Sequence, residues 1–104
     1  DFTYIDDIVE ANILAATSDG LAPGTVFNVA GGSNISVNEV LDSISMISSS
    51  KLRVRRTETV PGDVFRTSGA IDRIGAQLNW SPKTTIHEGL KHHYEWAVKT
   101  YSPK

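Results

Sequence analysis

The sequence contains no cysteine, which excludes disulfides and thiolate chemistry and fits a reducing compartment, the cytoplasm being the expected location. Charge of neither sign is in excess: ten basic against twelve acidic residues leave a formal net charge of −2. That balance offers no general attraction to nucleic acid or anionic lipid, so neither is an expected partner, and the basic run Lys51 to Arg56 does not outweigh it. No signal or transmembrane segment is recognisable, and no membrane partner is expected. An initiator methionine is also missing, and the first residues run straight into an apolar stretch (Phe2, Tyr4, Ile5). The expectation is a fragment of a longer protein. No internal repeat occurs, and the triple serine Ser48-Ser49-Ser50 is the only low-complexity segment.

What is present is organised around Thr25 to Ile47. Val26, Phe27 and Val29 favour a short strand, the following Ala30-Gly31-Gly32-Ser33-Asn34 favours a turn, and an amphipathic helix comes next. Ser36 stands three residues before Glu39, the spacing of a capping box in which each side chain satisfies the other's backbone N–H. Val37, Val40, Leu41, Ile44 and Ile47 then fall on one helical face.

On either side of this unit the pattern continues. Asp1 to Ile5 reads as a strand, followed by a helix capped by Asp7, with Glu10 at the capping-box position, running to about Thr17. Ile8, Ala11, Asn12 and Ala15 line one side of it, and Asp19-Gly20 supplies the stop. Lys51 to Thr57 alternates apolar Leu52 and Val54 with basic Lys51, Arg53 and Arg55, which predicts a strand reached by a parallel crossover. A Pro61-Gly62-Asp63 turn follows. A short helix is expected from Asp72, burying Ile74 and Leu78 and ending at Asn79, with Trp80 and Pro82 beyond it. Thr85 and Glu88 form a further capping box that opens a last helix with Ile86, Leu90, Ala97 and Tyr94 inward; Thr100 to Lys104 is expected to fray. The fold class that results is α/β, a small sheet with about four helices in a single domain over residues 1–104.

Candidate chemistry is sparse. Dinucleotide binding calls for a glycine-rich turn after a strand, and Gly31-Gly32 lacks the G-x-G-x-x-G spacing, so a plain strand-to-helix turn and a partial nucleotide site both remain open. His87, His92 and His93 cluster in sequence, and Glu88 with His92 has helical ligand spacing, but no third ligand is near and no metal is expected. No serine sits in a nucleophile elbow. Arg53, Arg55, Arg56 and Arg66 bracket the Pro61-Gly62-Asp63 turn, either as a solvated basic face or as guanidiniums for an anionic ligand.

In order, Asp1-Phe-Thr-Tyr-Ile-Asp-Asp7, Phe27-Asn-Val-Ala-Gly-Gly32, Pro61-Gly-Asp63, Ala70-Ile-Asp-Arg-Ile74, Leu78-Asn-Trp-Ser-Pro82 and Glu88-Gly-Leu90 resemble the carboxy-terminal part of the extended short-chain dehydrogenase/reductases acting on nucleotide sugars, the UDP-glucose 4-epimerase and dehydratase group. The resemblance covers nearly the whole chain. It implies a substrate-binding lobe whose parent enzyme has a separate Rossmann lobe that holds NAD and supplies a Tyr-x-x-x-Lys pair. Neither feature is in this chain: Ile8 stands four residues after Tyr4, and Val98 four after Tyr94. The expectation is therefore a segment without catalytic or NAD-binding residues of its own. Its partners are a nucleotide-diphosphate sugar and the Rossmann lobe. Asn28, Asp63 and Arg66 are the expected substrate-binding residues. Asp63 matches the family's aspartate, Val60 stands where an arginine usually contacts the phosphates, and Arg66 is the candidate substitute. Ala70 replaces a common aspartate. The alternative is a free-standing truncated domain that self-associates through uncovered apolar surface.

Overall fold

In the computed structural model, which describes residues 1–101, four helices occur in the order α1 (Ile5–Thr17), α2 (Val37–Ser48), α3 (Asp72–Leu78) and α4 (Ile86–Tyr101). Two of them are closed by the reciprocal caps that the sequence predicts. Ser36 Oγ accepts from the Glu39 N–H at 3.2 Å while a Glu39 carboxylate oxygen accepts from the Ser36 N–H at 2.8 Å. Thr85 and Glu88 repeat the arrangement at 3.3 and 3.0 Å. Hydrogen bonds from the side chain and backbone of Ser36 hold the Glu39 carboxyl below its ordinary range, and those from Thr85 do the same for Glu88, with a smaller contribution from His92 and His87. At the other ends, Ser49 and Asn79 take the left-handed conformation that closes α2 and α3.

α1 begins earlier than its sequence signals indicate. Tyr4, not Asp7, is the N-cap, and it makes no side-chain capping bond. Asp7 instead lies in the first turn, 3% exposed, where its carboxylate accepts from the Lys83 N–H at 3.2 Å and the Thr84 N–H at 3.1 Å. Glu10 is not a box partner either; it pairs with Lys83. Both acids that resemble a local cap are spent on a segment more than seventy residues away in sequence.

The expected sheet does not form. Among the described residues there is no strand, and the fold is helical. The segments 1–3, 25–31 and 66–70 lie beside one another without a backbone ladder, joined mainly through side chains and the N-terminal amine, with α3 adding one bond. Asn28 Nδ2 donates to the Ala70 carbonyl at 3.3 Å, the Gly31 N–H to Asp1 Oδ1 at 2.9 Å, and Arg73 to the Val26 carbonyl at 3.2 Å. A ladder needs backbone N–H and C=O groups paired along the whole strand, and here Gly69 comes up against the side chains of Asn28 and Ala30 while no backbone pairing joins the two segments. The crossover strand expected at Lys51 to Thr57 fails for the same reason: no other segment pairs with it, and Val54 is exposed. α4 runs through Thr100 and Tyr101; the rest of the tail expected to fray, 102–104, lies outside the described residues.

α1 packs on α3 and α2 on α4. Ala11, Ile74, Leu78 and Trp80 form the core, with Leu14, Leu21, Phe27, Val29 and Ile71 half-buried around it. Trp80 fills its centre and donates its indole N–H to the Asp7 carbonyl at 3.1 Å. Tyr4 tethers the other pair by laying its ring against Gly89 of α4, where an added Cβ would stand 3.0 Å from Tyr4 Cδ2. On α2 only Val40 is fully buried, and Val37, expected inward, is exposed.

The two helix pairs make a slab of 50 × 39 × 19 Å with a radius of gyration of 17.0 Å. A compact chain of this length has a radius of about 13 Å. Its accessible surface is 8417 Å², against roughly 5,700 Å² for a compact monomer of the same mass. The excess is the size of a large protein interface, and it is partly apolar. Ile5, Val9 and Ile13 form one exposed stripe on α1 at four-residue spacing.

Two glycines separate packing from conformation. A Cβ on Gly31 would sit 2.2 Å from the Phe2 carbonyl oxygen, so backbone must move, whereas one on Gly75 of α3 meets the Trp80 carbonyl at an ordinary 3.5 Å. Gly31→Ala is expected to destabilise by about 1–3 kcal/mol. Gly75→Ala is expected to stabilise by about 0.5–1 kcal/mol, because alanine loses less backbone entropy in a helix. Urea midpoints of the two variants should move in opposite directions; a shift of the same sign in both would contradict these contacts.

Candidate functional site

The site is built on the edge where the three extended segments meet the long loop before α3. Val60, Pro61, Gly62 and Asp63 form a tight turn closed by the Asp63 N–H donating to the Val60 carbonyl at 3.1 Å, with Gly62 at φ +89°. Proline at the first corner and a positive-φ glycine at the second are what a type II turn requires. The turn carries Asp63 on the surface together with exposed Val60 and Val64 and fully exposed Phe65. From here the chain returns along the body of the molecule, and Arg66 donates through Nε to Asn34 Oδ1 at 2.9 Å, just ahead of α2.

Asn28 stands on the next extended segment and reaches Ala70. Asn28 and the residues immediately after Arg66, Thr67 to Ala70, line the same 510 Å³ cavity. Arg66 and Asn28 are thus linked through one stretch of chain, while Asp63 lies exposed on the turn and makes no side-chain hydrogen bond with the described residues. The cavity is the more polar of the two main openings.

The other opening is one that the sequence motifs did not reveal. A cavity of about 600 Å³ lies between the first extended segment and α4, with Phe2, Tyr4, Leu90, His92, His93 and Trp96 among its walls. Its signals were the alternating Phe2 and Tyr4 and the aromatic positions of α4, readable as pattern but not as partners. The histidines are occupied there. His92 meets Tyr4 edge-on at 5.7 Å and His93 rests on Trp96 at 5.8 Å. Among the described residues no group of three His, Cys, Asp or Glu side chains comes together as a metal site would need.

The Gly31-Gly32 turn, the one glycine-rich turn singled out from the sequence, is closed to a pyrophosphate. The space that the missing Gly31 side chain leaves is filled by the backbone of Phe2, and its N–H is taken by Asp1, so this turn packs the chain on itself instead of admitting a pyrophosphate.

By sequence and by fold the chain matches the carboxy-terminal part of the extended short-chain dehydrogenase/reductases that include UDP-glucuronate and UDP-glucose 4-epimerases. Among the individual relatives, the UDP-glucuronate 4-epimerase of Thermodesulfobacterium geofontis is 33% identical over 98 residues, covering 93% of this chain and 29% of that protein. The crystal structure of UDP-glucuronic acid 4-epimerase from Bacillus cereus in complex with UDP-glucuronic acid and NAD superposes with a TM-score of 0.90 at 27% identity, over 97% of this chain and 32% of that one. UDP-glucose 4-epimerase from Thermotoga maritima with UDP-glucose gives 0.85 at 30% identity, over 96% and 31%. No family model matches the sequence. The chain spans about a third of the length of the relatives it matches.

Proposed function

We propose that this chain is the nucleotide-sugar-binding carboxy-terminal segment of an NAD-dependent nucleotide-sugar 4-epimerase, not catalytic by itself and working in the cytoplasm. The observation that carries this reading is the superposition of nearly the whole chain on one third of two sugar-nucleotide epimerases. The surplus surface and the exposed Ile5, Val9, Ile13 stripe support it, since a segment shaped to pack against a Rossmann lobe would leave such a face when alone. Asn28, Asp63 and Arg66 are the residues assigned to the nucleotide.

An amide titration by NMR tests the assignment. UDP, UDP-glucose and UDP-glucuronic acid are expected to give saturable shifts at Asn28, Asp63 and Arg66, and NAD none. Absence of shifts with every nucleotide would end the reading of this segment as a preformed ligand half-site.

The same surplus surface favours a second reading, a module that associates with copies of itself. Light scattering that shows a clean monomer over a wide concentration range would dispose of it.

A further inference from the structure

We propose that the cavity between the first residues and α4 is an aromatic cage for a quaternary ammonium group, with Asp6 as its counter-charge. Phe2, Tyr4, Asp6, His92, His93 and Trp96 all line this one space of about 600 Å³. The helical spacing explains why half of them meet. Gly89, His92, His93 and Trp96 recur at three- and four-residue steps and so share one face of α4. Gly89 omits the side chain that would hold Tyr4 away, and the Tyr4 ring lies against it. His92 then meets Tyr4 at 5.7 Å and His93 meets Trp96 at 5.8 Å, so the rings brace one another around the opening.

The charges around the cavity decide what kind of guest suits it. Aromatic faces carry partial negative charge and attract a cation placed over them. Among the described residues that line the cavity, none is lysine or arginine, and Asp6 is the one acid. Lys83 and Lys91, next in sequence to lining residues, are paired with Glu10 and Glu95, and Asp6 belongs to neither ion pair. The N-termini of α1 and α4 each contribute about half a positive charge, but both carry acids in the first turn, Asp6 and Asp7 on α1 and Glu88 on α4. An anion would therefore face rings and a carboxylate with no cationic partner, and a neutral guest would leave Asp6 without one. A primary ammonium is strongly hydrated and would lose that hydration against Ile86 and Leu90. A quaternary ammonium is apolar at its methyl groups and charged at its centre, which suits the aliphatic and the aromatic walls together. The volume lies within the range of about 300–1,000 Å³ usual for small-molecule sites, so an ammonium head with an apolar tail can be accommodated. The cage shares no residue with Asn28, Asp63 and Arg66 and does not depend on the nucleotide-sugar reading.

An NMR amide titration of the full chain at pH 8 tests it, with benzyltrimethylammonium, choline and 3,3-dimethylbutan-1-ol, the neutral carbon counterpart of choline, as probes. Benzyltrimethylammonium is expected to give saturable shifts at residues 2–6 and 89–96. Choline is expected to bind about tenfold more tightly than the neutral alcohol, a comparison made on the unaltered chain. Trp96→Leu keeps an apolar wall without the indole and should weaken benzyltrimethylammonium about fivefold. Asp6→Asn keeps the shape without the charge and should weaken it about threefold. Both positions are exposed, so neither substitution disturbs the core. Absence of saturable shifts with benzyltrimethylammonium, or equal affinity for choline and the neutral alcohol, overturns the cage. Cation binding indifferent to Trp96→Leu overturns the role of the rings, and binding indifferent to Asp6→Asn overturns that of the carboxylate.

Discussion

Trp80→Ala is expected to lower the unfolding free energy by about 3–5 kcal/mol, the usual cost of emptying a large aromatic site in a core. Trp80 is 2% exposed and belongs, with Ala11, Ile74 and Leu78, to the buried apolar cluster between α1 and α3. The indole also carries the bond to the Asp7 carbonyl, which would lose its donor. A domain of this size has a total stability of only about 5–15 kcal/mol, and among the described residues six hydrophobic side chains are fully buried. The variant should therefore unfold at much lower urea, or lack a cooperative transition altogether. Trp80→Phe keeps most of the apolar volume and should lose only about 1–2 kcal/mol, the share of the indole N–H and the smaller ring. Urea unfolding followed by far-UV circular dichroism measures both. If the alanine variant unfolded within about 1 kcal/mol of the parent, the core would have to lie elsewhere.

Asp7→Ala comes second, with an expected loss of about 2–4 kcal/mol. Its carboxylate accepts two backbone N–H groups, from Lys83 and Thr84, in a site with almost no solvent. Removing it leaves both donors without partners, and a buried unpaired donor carries the full cost of its lost hydration. Asp7→Asn is the sharper probe. Its shape is the same, but one oxygen becomes an NH₂ that faces an N–H, so the isosteric variant should lose nearly as much as the alanine. Amide exchange at residues 83 and 84 reads the effect directly, and parental protection in Asp7→Asn would show that only one of the two bonds is formed. Lys83→Ala, by contrast, removes an exposed ion pair with Glu10 and should cost less than about 1 kcal/mol. Trp80 and Asp7 share a hydrogen bond, so their effects should not add.

These two residues also mark where the sequence is hard to read. Trp80 follows a helix and precedes a proline, so locally it looks like part of a stop signal. Its burial depends on α1, which approaches from the other end of the chain. Asp7 stands three residues before Glu10 in the same pattern as Ser36 with Glu39 and Thr85 with Glu88. In those two cases the box forms, because no distant group competes for the acceptor. In the first case the backbone of Lys83 and Thr84 claims it. A carboxylate follows whichever N–H the tertiary fold leaves unpaired, and local spacing cannot show that.

The candidate site divides along the same line. The Pro61-Gly62-Asp63 turn was legible, since proline and glycine dictate its backbone wherever it lies. Arg66 was readable as a cation near that turn, but not as one held by Asn34, and nothing in the spacing tied Arg56 to Asn38. The 600 Å³ cavity against α4 was invisible for a similar reason: its walls come from the first residues and the last helix.

What the sequence determined by itself is the set of features closed within a few residues: the starts of α2 and α4, settled by a side chain against backbone close by, and the end of α3 and the turn, settled by residues that accept the backbone conformation required. Tertiary structure alone decided the rest. It replaced the sheet that alternating residues predict with unpaired extended segments, because β-alternation prepares an edge for hydrogen bonding but cannot supply the neighbouring strand. It also left the slab with far more surface than its mass requires, since burial depends on which elements meet and not on how apolar each one is.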